Sequence, residues 1–167
     1  MDEDLLSRLQ AGVDRLDATR TAVIAGDPWP LAATFDHTDE ARWGPPEVLA
    51  HLAEMLPYWL GEVERIRAGP PGPVPFGRIG TDPVRIAIIG RDRTLPTNEL
   101  YIRIGDALAR WIGRLQTLTP AELEKVGLHP RLGEMRIEAV VERQIVGHLT
   151  EHLVQLEELM EGRSAGS

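Results

Sequence analysis

Two histidines near the C-terminal end of the chain have the spacing of a metal-binding pair. His148 and His152 are four residues apart, so on an α-helix both imidazoles lie on one face and can reach a single ion. Both fall in a stripe that is otherwise apolar, between Ile145 and Leu156. Because a buried imidazole without a hydrogen-bonding partner is unfavourable, a shared metal ion is the interpretation that satisfies both rings.

The residues between the two histidines exclude one class of metal enzyme and leave a simpler alternative open. They are Leu149, Thr150 and Glu151, which puts the glutamate in the wrong position for the His-Glu-x-x-His motif of metalloproteases. The alternative is a pair of histidines that serves only in core packing or on the surface. Spacing alone does not separate this alternative from a metal site.

The composition limits the kind of ligand and partner. The chain has 167 residues and a net charge of -8, which argues against nucleic acid or an anionic membrane as a partner. It has no cysteine, so any metal ligands must be His, Asp or Glu. There is no basic leader with an apolar core and no apolar run of about 18 residues. We therefore expect a cytoplasmic protein without a membrane span.

Hydrophobic periodicity predicts an all-α protein. We expect one domain over residues 1–160, a four-helix bundle in up-down-down-up order, followed by a disordered tail over residues 161–167. A long crossover over residues 69–96 joins the second helix to the third, and its short apolar segment is either a strand or a helical turn. The sequence LHPRLGEMR is predicted to be a loop. The four long helices are predicted at about residues 2–25, 45–68, 97–118 and 136–160.

Three further histidines lack the pair's spacing. His37 lies among polar residues and is predicted to be a solvated loop residue. His129 precedes a proline and is predicted to be a turn residue. His51 lies at the edge of the apolar stripe of the second helix, where a histidine is more often packed or half-exposed than a ligand.

Three motifs contain His51, His129 or the histidine pair: WGPPEVLAHL at residues 43–52, HPRLGE at residues 129–134 and GHLTEHL at residues 147–153. Together they resemble the DinB/YfiT-like family. The family consists of four-helix-bundle metalloenzymes and includes thiol-dependent transferases. The resemblance covers most of the chain, with the motifs in the expected order and separation.

The resemblance implies a set of metal ligands. The family's ligands are one histidine on the second helix and a pair on the last, which correspond to His51, His148 and His152. It implies a divalent metal, most simply zinc, with nickel or iron as alternatives, and an open coordination position. The candidates to orient the imidazoles or to shuttle a proton are Glu47, Glu54, Glu151 and Gln155. In the mycothiol-dependent maleylpyruvate isomerase branch a carboxylate replaces one histidine of the pair, so that activity is not expected here.

The resemblance also implies a function and leaves two alternatives. The expected activity is transfer of a low-molecular-weight thiol cosubstrate to an electrophilic small molecule, in detoxification or stress response, by a homodimer. A metal-dependent hydrolase and a non-catalytic metal-binding or dimerising bundle are the alternatives. Glu54, Tyr58 and Glu151 are the candidate catalytic residues. The crossover segment PFGR is either a simple turn or a lid over the site. As part of a lid, Phe76 and Arg78 are candidates to bind a cofactor or an anionic substrate.

Overall fold

The computed structural model describes residues 3–33, 35 and 40–166, and His37 lies outside these ranges. No helix within them is both long and apolar enough to cross a membrane. The elements, in chain order, are α1 (Glu3–Ala25), a 3-10 turn (Glu40–Arg42), α2 (Pro45–Ala68), β1 (Val74–Pro75), α3 (Pro83–Asp92), α4 (Thr97–Thr117), α5 (Pro120–Leu123), β2 (Val126–His129), β3 (Gly133–Arg136), α6 (Ile137–Val140), a π-helical segment (Val141–Gly147) and α7 (His148–Ala165).

Four long helical stretches form the bundle: α1, α2, α4 and the run from α6 to α7. Both α1 and α2 pack against α4 and α7, which places α1 and α2 at diagonally opposite corners. The predicted four-helix bundle, with its up-down-down-up order and long crossover, is confirmed. Its centre is apolar and excludes water. Fully buried side chains include Leu9, Trp43, Leu52, Leu56, Leu100, Ile104, Trp111, Ile145 and Leu153.

The start of α2 is fixed by a buried carboxylate. Gly44 is the N-cap and Pro45 occupies the first turn, where a missing N–H has no consequence. The Glu47 carboxylate accepts hydrogen bonds from the backbone N–H groups of Gly44, at 3.2 Å, and Ala32, at 2.7 Å. Arg93 pairs with it at 3.0 Å. Glu47 therefore ties three segments together and is not placed to orient an imidazole.

The apolar segment of the crossover is the helix α3. Asp82 caps it, because its side chain accepts hydrogen bonds from the backbone N–H groups of Val84, at 2.9 Å, and Arg85, at 3.0 Å. Sequence periodicity left strand and helical turn undecided here; the cap and the packing of α3 on α2 decide for a helix. Arg85 is buried as a result and lies beside α2.

The segment predicted to be a loop after α5 forms part of a small sheet. β2 and β3 pair antiparallel, from Val126 opposite Arg136 to His129 opposite Gly133, and β1 pairs parallel with β2. The prediction was wrong because strands of two to four residues are too short to show an alternating pattern. Gly133 adopts a positive φ of 76°, which favours glycine in the turn.

The last helix differs from the prediction both before and after the histidine pair. Before the pair, the chain forms a π-helical segment instead of a continuous α-helix. After it, α7 continues to Ala165, so residues 161–165, predicted to belong to a disordered tail, are helical. The Arg163 guanidinium lies 4.4 Å from the ring centroid of Trp29, a contact that favours an ordered last turn.

Trp111 provides a test of the bundle core. It is fully buried, and its indole N–H donates to the carbonyl of Leu56 at 2.8 Å. We expect Trp111→Ala to lower the free energy of unfolding by about 3–5 kcal/mol, and Trp111→Phe by about 1–3 kcal/mol because the hydrogen bond is lost. The measurement is urea denaturation at constant m-value. Ile102→Ala is the control, since Ile102 is 50% exposed; an equal loss in all three variants would contradict the prediction.

Candidate metal centre

Three imidazoles meet where α2 faces the start of α7. His51 lies on α2, and its ring centroid is 5.1 Å from that of His148 and 4.8 Å from that of His152. The centroids of His148 and His152 are 4.9 Å apart. The Nε2 atoms of His51 and His148 approach to 3.0 Å. The structure thus brings together the three histidines that the resemblance implies as ligands.

A fourth residue, Glu40, joins this group. Potential ligand atoms of Glu40 and the three histidines all lie within 4.8 Å of one another, and Glu40 Oε2 is 4.0 Å from His152 Nε2. Sequence analysis missed Glu40 because it lies in a single 3-10 turn without periodicity. No pattern in the sequence distinguishes it from the other acidic residues of that connection.

Gln155 determines the tautomer of His152. Its amide nitrogen donates to the backbone carbonyl of Glu40 at 2.8 Å, so its amide oxygen is the atom 3.0 Å from His152 Nδ1. Nδ1 must therefore carry the proton, which leaves the lone pair on Nε2. The prediction that Gln155 orients an imidazole agrees with this geometry.

Arg85 holds Glu40 from the other side of the site. Its guanidinium donates to Glu40 Oε1 at 2.5 Å and to the carbonyl of Gly80 at 3.0 Å. It also lies 3.5 Å from His51 Nδ1, a distance too long to fix the tautomer of that ring. Glu40 consequently has one oxygen held by Arg85 and the other facing His152.

The environment keeps all three imidazoles neutral. Burial lowers the pKa of His51 well below its ordinary value, and the neighbouring imidazoles and Arg85 lower it further. Burial, followed by His152, lowers the pKa of His148 to about 4. Burial also lowers the pKa of His152, against the opposing effects of Gln155 and Glu40. Neutral imidazoles are the form that binds metal ions.

This donor set fits a divalent metal ion. Two nitrogens bound to one ion at about 2.0–2.1 Å lie roughly 3 Å apart, which matches the 3.0 Å between the Nε2 atoms of His51 and His148. His152 presents its Nε2 lone pair to the same place, and Glu40 adds an anionic oxygen. Imidazole and carboxylate together suit zinc, nickel or iron.

A cavity of about 790 Å³ adjoins the histidines, a volume within the range of small-molecule sites. Glu151, a candidate catalytic residue, lines it and is exposed. His129, predicted to be a turn residue, ends β2 and is buried at its wall. Its Nδ1 accepts hydrogen bonds from the backbone N–H groups of Arg131 and Leu132, both at 3.1 Å. The hairpin turn is thereby held at the edge of the cavity.

The other candidate residues lie around Arg78. Its guanidinium pairs with Glu54 at 2.6 Å and lies 3.6 Å from the ring centroid of Tyr58. Glu54 and Tyr58 face a separate depression on the far side of Arg78. Burial raises the pKa of Glu54, and burial followed by Glu62 raises that of Tyr58 to about 12. These residues anchor the crossover to α2.

Phe76 is buried against aromatic neighbours. Its ring centroid is 5.5 Å from that of His129 and 6.4 Å from that of Trp59. The next residue, Gly77, has a positive φ of 82°, and a Cβ there would lie 2.4 Å from His129 Cδ2. This segment of the crossover therefore packs directly on the hairpin. Phe76 is not among the side chains that line the cavity.

The lowered pKa of His148 predicts a pH dependence of stability in the metal-free protein. Its folded pKa is about 4, below the ordinary 6.5, so between these values the unfolded chain binds more protons than the folded one. The free energy of unfolding should fall by about 2–3 kcal/mol as pH decreases through this window. Denaturation of chelator-treated protein measures it. His148→Gln should make the profile shallower but not flat, because His51 and His152 also have lowered pKa values. An unchanged slope would contradict the prediction.

Comparison with known proteins identifies the fold. No protein-family profile matches the chain, and no curated protein matches it at the sequence level. Among solved structures it is similar to YfiT from Bacillus subtilis, described as "a probable metal-dependent hydrolase with an unusual four-helix bundle topology". The TM-score is 0.69 at 15% sequence identity, over 97% of this chain and 87% of YfiT. The chain thus has the four-helix-bundle fold of YfiT, in agreement with the DinB/YfiT-like resemblance in its sequence.

Proposed function

We propose that the protein is a metal-dependent enzyme whose ligands are His51, His148 and His152. The observation that carries the proposal is the convergence of three neutral imidazoles on one point beside a cavity. Packing alone does not account for three imidazoles here, because two of them are buried polar rings that aliphatic side chains could replace at lower cost. Zinc is the first choice of metal, with nickel or iron as alternatives.

We propose hydrolysis as the reaction. A bound divalent ion of this kind would lower the pKa of water and supply the nucleophile at neutral pH. Glu40 Oε2 is free of Arg85 and is the nearest carboxylate oxygen to the histidines, so it can accept the proton from that water. Gln155 keeps the His152 lone pair directed at the site, and Arg85 keeps Glu40 in position. The description of YfiT as a metal-dependent hydrolase supports the same reaction class.

The thiol S-transferase activity expected from the sequence has no support in the geometry or in the structural comparison. It stays a prediction, as do the role in detoxification or stress, the homodimer and the cytoplasmic location. A turnover assay with and without added low-molecular-weight thiol separates the two activities, because only the transferase requires the thiol for turnover.

Metal content tests the ligands. Protein purified without affinity metals should hold about one equivalent of a divalent metal by elemental analysis, and His51→Ala and His148→Ala should each hold about a tenth of that or less, since each loses one of three imidazoles. His129→Gln is the control, because His129 is a buried histidine outside the group. Equal metal in His51→Ala and the native chain would remove His51 from the ligands.

Glu40 and Glu151 can be compared as proton acceptors. Glu40→Gln should retain the metal and lower kcat by about 10²- to 10⁴-fold in hydrolysis of an activated ester such as 4-nitrophenyl acetate. Glu151→Gln, a matched change in the same cavity, should change kcat less than about threefold, because Glu151 is exposed. Loss of metal from Glu40→Gln would identify Glu40 as a ligand instead, and a larger effect at Glu151 would transfer the role to that residue.

A further inference from the structure

Two arginines line the cavity on the side formed by the hairpin and the π-helical segment. Arg131 lies in the turn between β2 and β3, and Arg143 lies in the π-helical segment that precedes His148. His129 lines the cavity beside them, and its Nδ1 accepts a hydrogen bond from the backbone N–H of Arg131 at 3.1 Å. Burial is the main cause of the lowered pKa of His129, and the charges of Arg143 and Arg131 lower it further. The two cations therefore belong to one region of the same cavity, although they come from different elements.

Neither arginine has a carboxylate partner in the described part of the chain. The other arginines of the cavity are paired, Arg78 with Glu54 and Arg85 with Glu40. Of the carboxylates that line the cavity, Glu142 is engaged by Arg8 at 2.7 Å and Glu40 by Arg85. The exposed Glu151 forms no ion pair with either arginine within the described ranges. Both side chains are exposed, so their guanidinium groups are accessible to a ligand that enters the cavity.

Apolar side chains adjoin this positive region. Ile79 is 46% exposed and Leu132 is 36% exposed, and both line the cavity together with the more deeply placed Met55 and Trp59. Large aliphatic side chains that stay accessible inside a concave site are typical of a surface that binds a ligand. The cavity thus combines an apolar wall, two free cations and the candidate metal centre.

The π-helical segment that precedes the histidine pair also lines the cavity. The segment Val141–Gly147 places Arg143, Gln144 and Gly147 on the cavity wall. π-Helical turns are rare and occur frequently at functional sites, because the wider turn changes which side chains face a given direction. Here the change occurs immediately before the histidine pair.

We propose that the substrate is a small molecule with an apolar body and one anionic group, a carboxylate or a phosphate, which Arg131 and Arg143 bind. The apolar body contacts Ile79 and Leu132, and the bond to be cleaved faces the histidines. Guanidinium groups bind both anions through charge-assisted hydrogen bonds. The orientation of the substrate, with its scissile bond toward the histidines, rests on the proposed hydrolase function. The net charge of -8 disfavours a polyanion in place of a small molecule.

Binding without turnover tests the proposal. The probes are 4-phenylbutyrate, phenylphosphonate and the neutral 4-phenylbutyramide, measured by isothermal titration calorimetry on the metal-loaded protein. We expect at least one of the two anions to bind about tenfold or more tightly than the amide, and the better anion identifies the charged group. Arg131→Gln/Arg143→Gln should abolish this preference. Arg110→Gln should leave it unchanged, because Arg110 is an exposed arginine of α4 that does not line the cavity.

A second variant separates the arginines from the metal as the anion-binding group. In His51→Ala the anion preference should persist within about threefold, since the guanidiniums remain. The opposite pattern would overturn the proposal. If His51→Ala loses the preference for the anion and the double arginine variant keeps it, the anion binds to the metal. Equal binding of anions and amide by the native chain would also overturn the proposal. The absence of ester hydrolysis by the metal-loaded native chain would refute the hydrolase function and leave the binding result standing.

Discussion

One buried and one partly buried ion pair hold the crossover in place beside α2, and the candidate site depends on both. Arg78 with Glu54 anchors the beginning of the crossover, and Arg85 with Glu40 joins α3 to the turn before α2. A buried ion pair adds little net stability, but removal of one partner leaves an unpaired buried charge and is strongly destabilising. The value of these pairs therefore lies in position: they specify where the crossover lies and where the Glu40 carboxylate points.

The three histidines of the candidate site reduce the stability of the core. Two of the three neutral imidazoles, His51 and His152, are buried in an apolar interior and lack the hydrogen-bonding partners that bulk water provides. His152 is hydrogen-bonded to Gln155, whereas His51 and His148 have each other as near neighbours, at 3.0 Å between their Nε2 atoms. Core aliphatic residues would pack at these positions without this penalty. A site that reduces stability in exchange for chemistry is a common feature of enzymes. A bound ion would satisfy all three lone pairs at once, so metal binding and folding stability are expected to be coupled.

The cavity joins elements that are distant in the chain. Its positive region comes from the hairpin turn and the π-helical segment, whereas the candidate metal centre comes from α2, α7 and the 3-10 turn. His129 connects the two, because its ring accepts hydrogen bonds from the hairpin turn and stacks on Trp59 of α2, with 6.2 Å between ring centroids. The small sheet consequently lines one side of the cavity, and the helices of the bundle line the other.

Local patterns in the sequence determined the helices and the histidine pair. Apolar spacing located the four long helical stretches, and the distance between His148 and His152 indicated a shared ligand. Residue spacing did not identify His51; the resemblance did. Only the tertiary structure showed that Glu40, Arg85 and Arg143 lie at one cavity. The physical reason is the separation along the sequence. Helix periodicity and capping depend on residues a few positions apart. By contrast, it is the packing of the whole bundle that brings a 3-10 turn, a crossover helix and a π-helical segment to one cavity.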